Sequence, residues 1–174
     1  MKLLQSLASI AIAVTAFAPA SFAANNYPAH VELGRVIRSA GVNVKINPSA
    51  CNGSSFGWYW AYKNELVVCQ ENGRAGGPEV NWTEEDLDTL RHEAQHLVQD
   101  CYDGSRQGAL HTIYRDVPAL VKGTLNRSTI ERVINAYASK GEKVVVLELE
   151  AFSVAALNDP SEQARDIQNY CFRP

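Results

Sequence analysis

Hydrophobic positions change their spacing about halfway along the chain. Val31 to Ala40 places apolar or small residues at 31, 33, 36, 37 and 40 and stops at Gly41, which predicts a short amphipathic helix. Val42, Val44 and Ile46 alternate with polar neighbours, as in a half-buried strand. Phe56 to Tyr62 and Glu65 to Gln70 are aromatic and β-branched runs separated by Lys63-Asn64, a hairpin pattern. The glycine-rich stretch from Asn72 to Pro78 is a loop. Beyond Asn81 the period becomes helical. Thr83 and Asp86 form a capping-box pair, and Leu87, Leu90, Ala94, Leu97, Val98 and Cys101 follow at helix spacing until Gly104. Ser128 with Glu131 is read as capping a second run through Ile130, Val133, Ile134 and Tyr137, ended by Gly141. Val144 to Leu157 reads as another helix, although Val144 to Leu149 fits a strand, and Asp159-Pro160-Ser161-Glu162 opens the last helix. The expected fold class is α+β: a small antiparallel sheet or hairpin, then a mostly helical part.

The amino terminus reads as an address. Lys2 precedes an apolar run from Leu3 to Phe17, and Ser21-Phe22-Ala23 supplies small residues at the cleavage-determining places, so 1–23 is expected to be a signal peptide and 24–174 a single domain. The exported product would be secreted or periplasmic, with no membrane attachment after cleavage. Export gives the four cysteines their meaning: an oxidising compartment favours two disulfides over thiolate ligands. Cys51 is expected with Cys69, across the hairpin, which leaves Cys101 with Cys171. The 174 residues carry 46% hydrophobic and 20% charged residues, an ordinary globular composition. A net charge of -3 argues against a nucleic-acid partner.

The chemistry lies in His92-Glu93-Ala94-Gln95-His96, inside the best-defined helix. Histidines four apart stand one turn above each other, so both rings can reach one ion, and Glu93 between them can address a water on that ion as general base. A catalytic zinc needs a third protein ligand and one open position. Val144 to Leu157 carries only two charges, Glu148 and Glu150, so a buried acid there needs a cation. Glu148 shares a helix face with Ala151, Phe152 and Ala155, and Ala151 is small enough to allow close approach to the histidine helix, so Glu148 is the preferred ligand and Glu150 the alternative.

These residues resemble the gluzincin metallopeptidases, in which a His-Glu-x-x-His helix is followed by a glutamate on a later helix in Glu-x-x-Ala-Asp or Glu-x-x-Ala-Asn form. The resemblance implies a zincin-like fold with Zn2+ on His92, His96 and Glu148 and with Glu93 as the catalytic acid. A thermolysin-like alignment instead places Glu150 on the ligand. Phe152 stands where the pattern has Asp or Asn, so the partner that orients a ligand histidine is missing or comes from elsewhere. The family also implies a Tyr or His that stabilises the tetrahedral intermediate, for which His111, Tyr114 and Tyr137 are available, and substrate pairing with the hairpin strand Glu65 to Gln70. The group Trp58, Tyr59, Trp60 and Tyr62 reads as hairpin packing.

Two functions follow. One is an exported, monomeric zinc metalloendopeptidase acting on peptide or protein substrates. The other is a disulfide-stapled exported binding or inhibitor module whose metal site is structural or inactive. Glu93 favours the enzyme, because a structural site has no use for a general base.

Overall fold

A computed structural model describes residues 26–172 apart from Ser54 and Ser105, so the expected leader over 1–23 lies outside the described residues. Helix α1 (Tyr27–Ser39) begins earlier than its apolar stripe, because Pro28 is tolerated in a first turn. Strands β1 (Asn43–Ile46), β2 (Gly57–Trp60) and β3 (Glu65–Val68) follow. Then come α2 (Glu84–Cys101), α3 (Val117–Thr124), α4 (Arg127–Tyr137), α5 (Glu142–Leu157) and α6 (Pro160–Cys171). The fold is α+β.

The sheet is mixed rather than purely antiparallel. Its order is β1-β3-β2, with β2 antiparallel to β3 as a hairpin and β1 parallel to β3, Asn43 opposite Glu65 and Ile46 opposite Val68. The hairpin turns through a single 3₁₀ turn, Ala61–Lys63, and Asn64 in the left-handed region at φ 47°. Both neighbours of β3 are therefore taken, and its Leu66, Val67 and Val68 are fully buried. The expectation that an extended substrate pairs with this strand is corrected: a central strand has no free backbone edge.

Three helix starts were expected from the sequence. The Thr83–Asp86 and Asp159–Glu162 capping boxes are both present. Helix α4 is capped instead by Asn126, whose Oδ1 accepts from Thr129 N at 2.9 Å, while Glu131 pairs with Arg127 at 2.7 Å. The cap at Asn126 lies two residues before the expected one at Ser128, which places Ser128 inside the helix. The 144–149 stretch is helical, since its face continues into residues that pack on α2. Helix α3 was not foreseen: it has eight residues, with Asp116 accepting from Ala119 N and Pro118 in its first turn.

The core lies between α1, the sheet, α2 and α6, around Leu33, Ile37, Leu66, Leu97, Val98 and Ile167. Helix α5 packs against α2 as well. From His92 to Cys101 all ten residues of α2 are buried, the polar ones included. A polar stripe covered in this way must satisfy its groups internally. The disulfides Cys51–Cys69 and Cys101–Cys171 close the hairpin's base and tie the end of α6 to α2. Among the described residues no helix is long and apolar enough to cross a membrane.

Candidate metal centre

His92 and His96 project from α2 toward α5 with their Nε2 atoms 3.1 Å apart. Glu148 of α5 brings Oε2 to 3.2 Å from His92 Nε2 and 3.5 Å from His96 Nε2. Ligands about 2.0–2.1 Å from one tetrahedral ion stand roughly 3.3–3.4 Å from each other. The three separations bracket that edge. The His92, His96 and Glu148 side chains could hold a metal ion, and all three are buried.

The electrostatics agree with the geometry. Burial alone would lower the His96 pKa, but the Glu148 carboxylate more than offsets it and pushes the imidazole up to about 9. Burial would raise Glu148, yet His96 and His92 hold it well below the ordinary carboxylate range. Glu93, fully buried, is raised by desolvation against the lowering influence of both histidines. Neither of its carboxylate oxygens has a hydrogen-bond partner, nor does His92 Nδ1. Unused acceptors around a three-ligand set fit a cation with a bound water, which would supply the missing donors.

Glu150 lies on another face of α5. Its carboxylate accepts from Gln95 Nε2 at 3.2 Å, Gln99 Nε2 at 3.0 Å and the backbone N–H groups of Ile113 and Tyr114. Phe152 packs its ring on His92, centroids 4.3 Å apart, where the gluzincin pattern would supply a hydrogen-bonding Asp or Asn. His96 has a polar partner, Gln99, whose Oε1 lies 2.7 Å from its Nδ1. Gln99 was missed in the sequence, although its position three residues after His96, on the same helix face, is the available signal.

Of the three residues considered for charge stabilisation, Tyr137 alone is joined to this group. Its buried hydroxyl hydrogen-bonds Glu148, and burial, then Glu148 and Glu93, raise its pKa. His111 is half-exposed, 3.7 Å from Asp103, and Tyr114 meets Glu150 through its backbone. Tyr59 is packed, donating its hydroxyl to Asp100, whereas Trp60 and Tyr62 are exposed and only partly match the expected hairpin packing.

Strand β2 crosses α2 beside Glu93. A Cβ on Gly57 would meet Val67 O at 2.5 Å and Thr89 Cγ2 at 2.6 Å, so only glycine permits this approach. Cys69 N donates to Phe56 O, and alternation along an antiparallel pair turns the Gly57 and Tyr59 backbone groups outward. Tyr59 N–H faces the Glu93 carboxylate, beyond good hydrogen-bond geometry, and lowers its pKa slightly against burial.

A family model described as a domain of unknown function, DUF8637, matches residues 22–172. The chain belongs to this family. No curated protein and no solved structure matches it. The family description carries no chemistry, so a functional reading of this DUF8637 member rests on its own side chains.

Proposed function

We propose that the chain is an exported zinc-dependent metallopeptidase. The observation that supports this most directly is Glu93: a fully buried carboxylate with two unpartnered oxygens beside a three-ligand set. Zinc suits a set of two imidazoles and one carboxylate, and when bound it would polarise a peptide carbonyl and acidify a water. His92, His96 and Glu148 would hold it. Glu93 takes the proton of the attacking water and returns it to the leaving amine, a task for which a carboxylate raised by burial is suited. Tyr137 holds Glu148 in place through its hydroxyl. An extended peptide that paired with the sheet would do so at β2, an outer strand beside Glu93, in place of β3. The two disulfides support an oxidising, exported setting.

A second reading, a binding module with a structural metal, is favoured by burial: His92, Glu93, His96 and Glu148 are at most 5% exposed, so a substrate reaches them only when a covering element moves. One experiment separates the two. The purified chain is analysed for metal and incubated with unfolded casein, beside Glu93→Gln. The enzyme reading expects about one zinc per chain in both proteins and proteolysis that falls by about 10² or more in the variant. Zinc without proteolysis in either protein supports the structural reading, and absence of zinc after supplementation overturns both.

A further inference from the structure

We propose that Gln99 and Glu150 form a positioning relay that fixes the tautomer of His96, with the proton on Nδ1 and the Nε2 lone pair directed at the metal position. This rests on the metal reading of the site and concerns His96, not the His92 ring that Phe152 covers. The argument begins at the far end. Glu150 is fully buried and accepts from four donors: Gln95 Nε2, Gln99 Nε2, Ile113 N and Tyr114 N. The two backbone donors belong to the chain segment leading into α3, so the position of this carboxylate is set by main chain as well as by side chains. Gln99 Nε2 donates to Glu150 Oε1 and to Leu147 O, both at 3.0 Å.

Those two acceptors determine how the Gln99 amide is turned. Flipping it would place Oε1 against a carboxylate and a carbonyl, leaving three acceptors facing one another with no donor. Oε1 must therefore face His96 Nδ1, 2.7 Å away, and an amide oxygen can only accept. His96 Nδ1 consequently carries the hydrogen, and Nε2 is the atom free to ligate. Glu150 polarises the amide and so strengthens the acceptor that His96 meets. His92 has no counterpart: its Nδ1 is buried without a partner and its ring is held by Phe152. The two histidines of one motif are thus oriented differently, one by hydrogen bonding and one by packing. Glu150, weighed in the sequence as a ligand, acts one step removed.

The test uses the zinc-free protein at pH 10 and the zinc-loaded protein at pH 7.5, with long-range proton–nitrogen correlation of the histidine side chains and competitive zinc titration. The relay expects the wild-type His96 as the Nδ1–H form in both states. Gln99→Leu should lose that preference in the zinc-free protein and bind zinc about 10- to 100-fold more weakly. Glu150→Gln should show the same direction. A merely structural role would not change the His96 tautomer. Should Glu150→Gln fail to fold, Gln99→Leu decides alone. Wild-type His96 in the Nε2–H form without zinc, or Gln99→Leu binding zinc as tightly as wild type, overturns the relay. If wild type binds no zinc, the metal reading fails while the zinc-free tautomer still decides the relay.

Discussion

Replacing Glu93 by methionine should remove proteolysis and at the same time stabilise the zinc-free protein. Methionine is chosen because β2 passes close over the side chain's stem: Glu93 Cγ would lie 3.4 Å from a Cβ at Gly57, which leaves room for an unbranched chain of similar volume and little else. The two carboxylate oxygens are buried and unpartnered, so folding leaves them desolvated without compensation. An unsatisfied buried polar group costs about 1–3 kcal/mol, and exchanging it for an apolar group of the same shape recovers part of that. We take a net gain of about 2 kcal/mol. For a domain near 150 residues this raises Tm by roughly 4–8 °C. The assay is thermal unfolding in EDTA and again with zinc at about 100 times its Kd, where ligation adds about 2.7 kcal/mol to any protein that retains the site. Because the ligands are untouched, wild type and variant should gain similarly from zinc. A variant that unfolds below wild type in EDTA would refute the reasoning, since Glu93 would then be a bonded part of the framework rather than a functional group maintained at a stability cost.

Phe152→Asn places a polar group beside His92, whose Nδ1 has none, and zinc affinity should rise about tenfold in competitive titration; unchanged affinity would mean that ring packing orients His92 adequately. Glu85 is pushed up to about 7 by burial, then by Asp88, Glu71 and Asp86. The folded state thus binds the extra proton between the ordinary value of 4.5 and about 7, and stability falls as pH rises through that window. Glu85→Gln should accordingly be more stable than wild type at pH 8, by about 1 kcal/mol after allowing for solvent screening, and equal to it at pH 4, in urea titrations at both values. Removing Cys101–Cys171, which closes a separation of 70 residues, should cost about 4 kcal/mol, against about 3 kcal/mol for Cys51–Cys69 with 18, and urea unfolding of the two double alanine variants gives the order.

What was legible in the sequence is what is set locally. The caps of α2 and α6 use contacts three residues apart, and the His92–His96 pair is defined by the helical repeat once the helix is given. The placement of Glu148 on the face shared with Ala151 follows from the same repeat, and the structure puts that face against α2. Helix α3 was not legible because eight residues with Pro118 and Gly123 carry too little periodic signal.

The remaining features depend on contacts between distant residues. Pairing β1 with β3 rather than β2 depends on which strands meet across a long connection, and it leaves β2, not β3, as the outer strand beside Glu93. The identity of the group behind His96 depended on α5 covering the polar stripe of α2, which buries Gln99 and Glu150 together. No local rule specifies which buried polar groups will satisfy one another. That is decided by the requirement, met only in the packed structure, that each donor removed from water finds an acceptor.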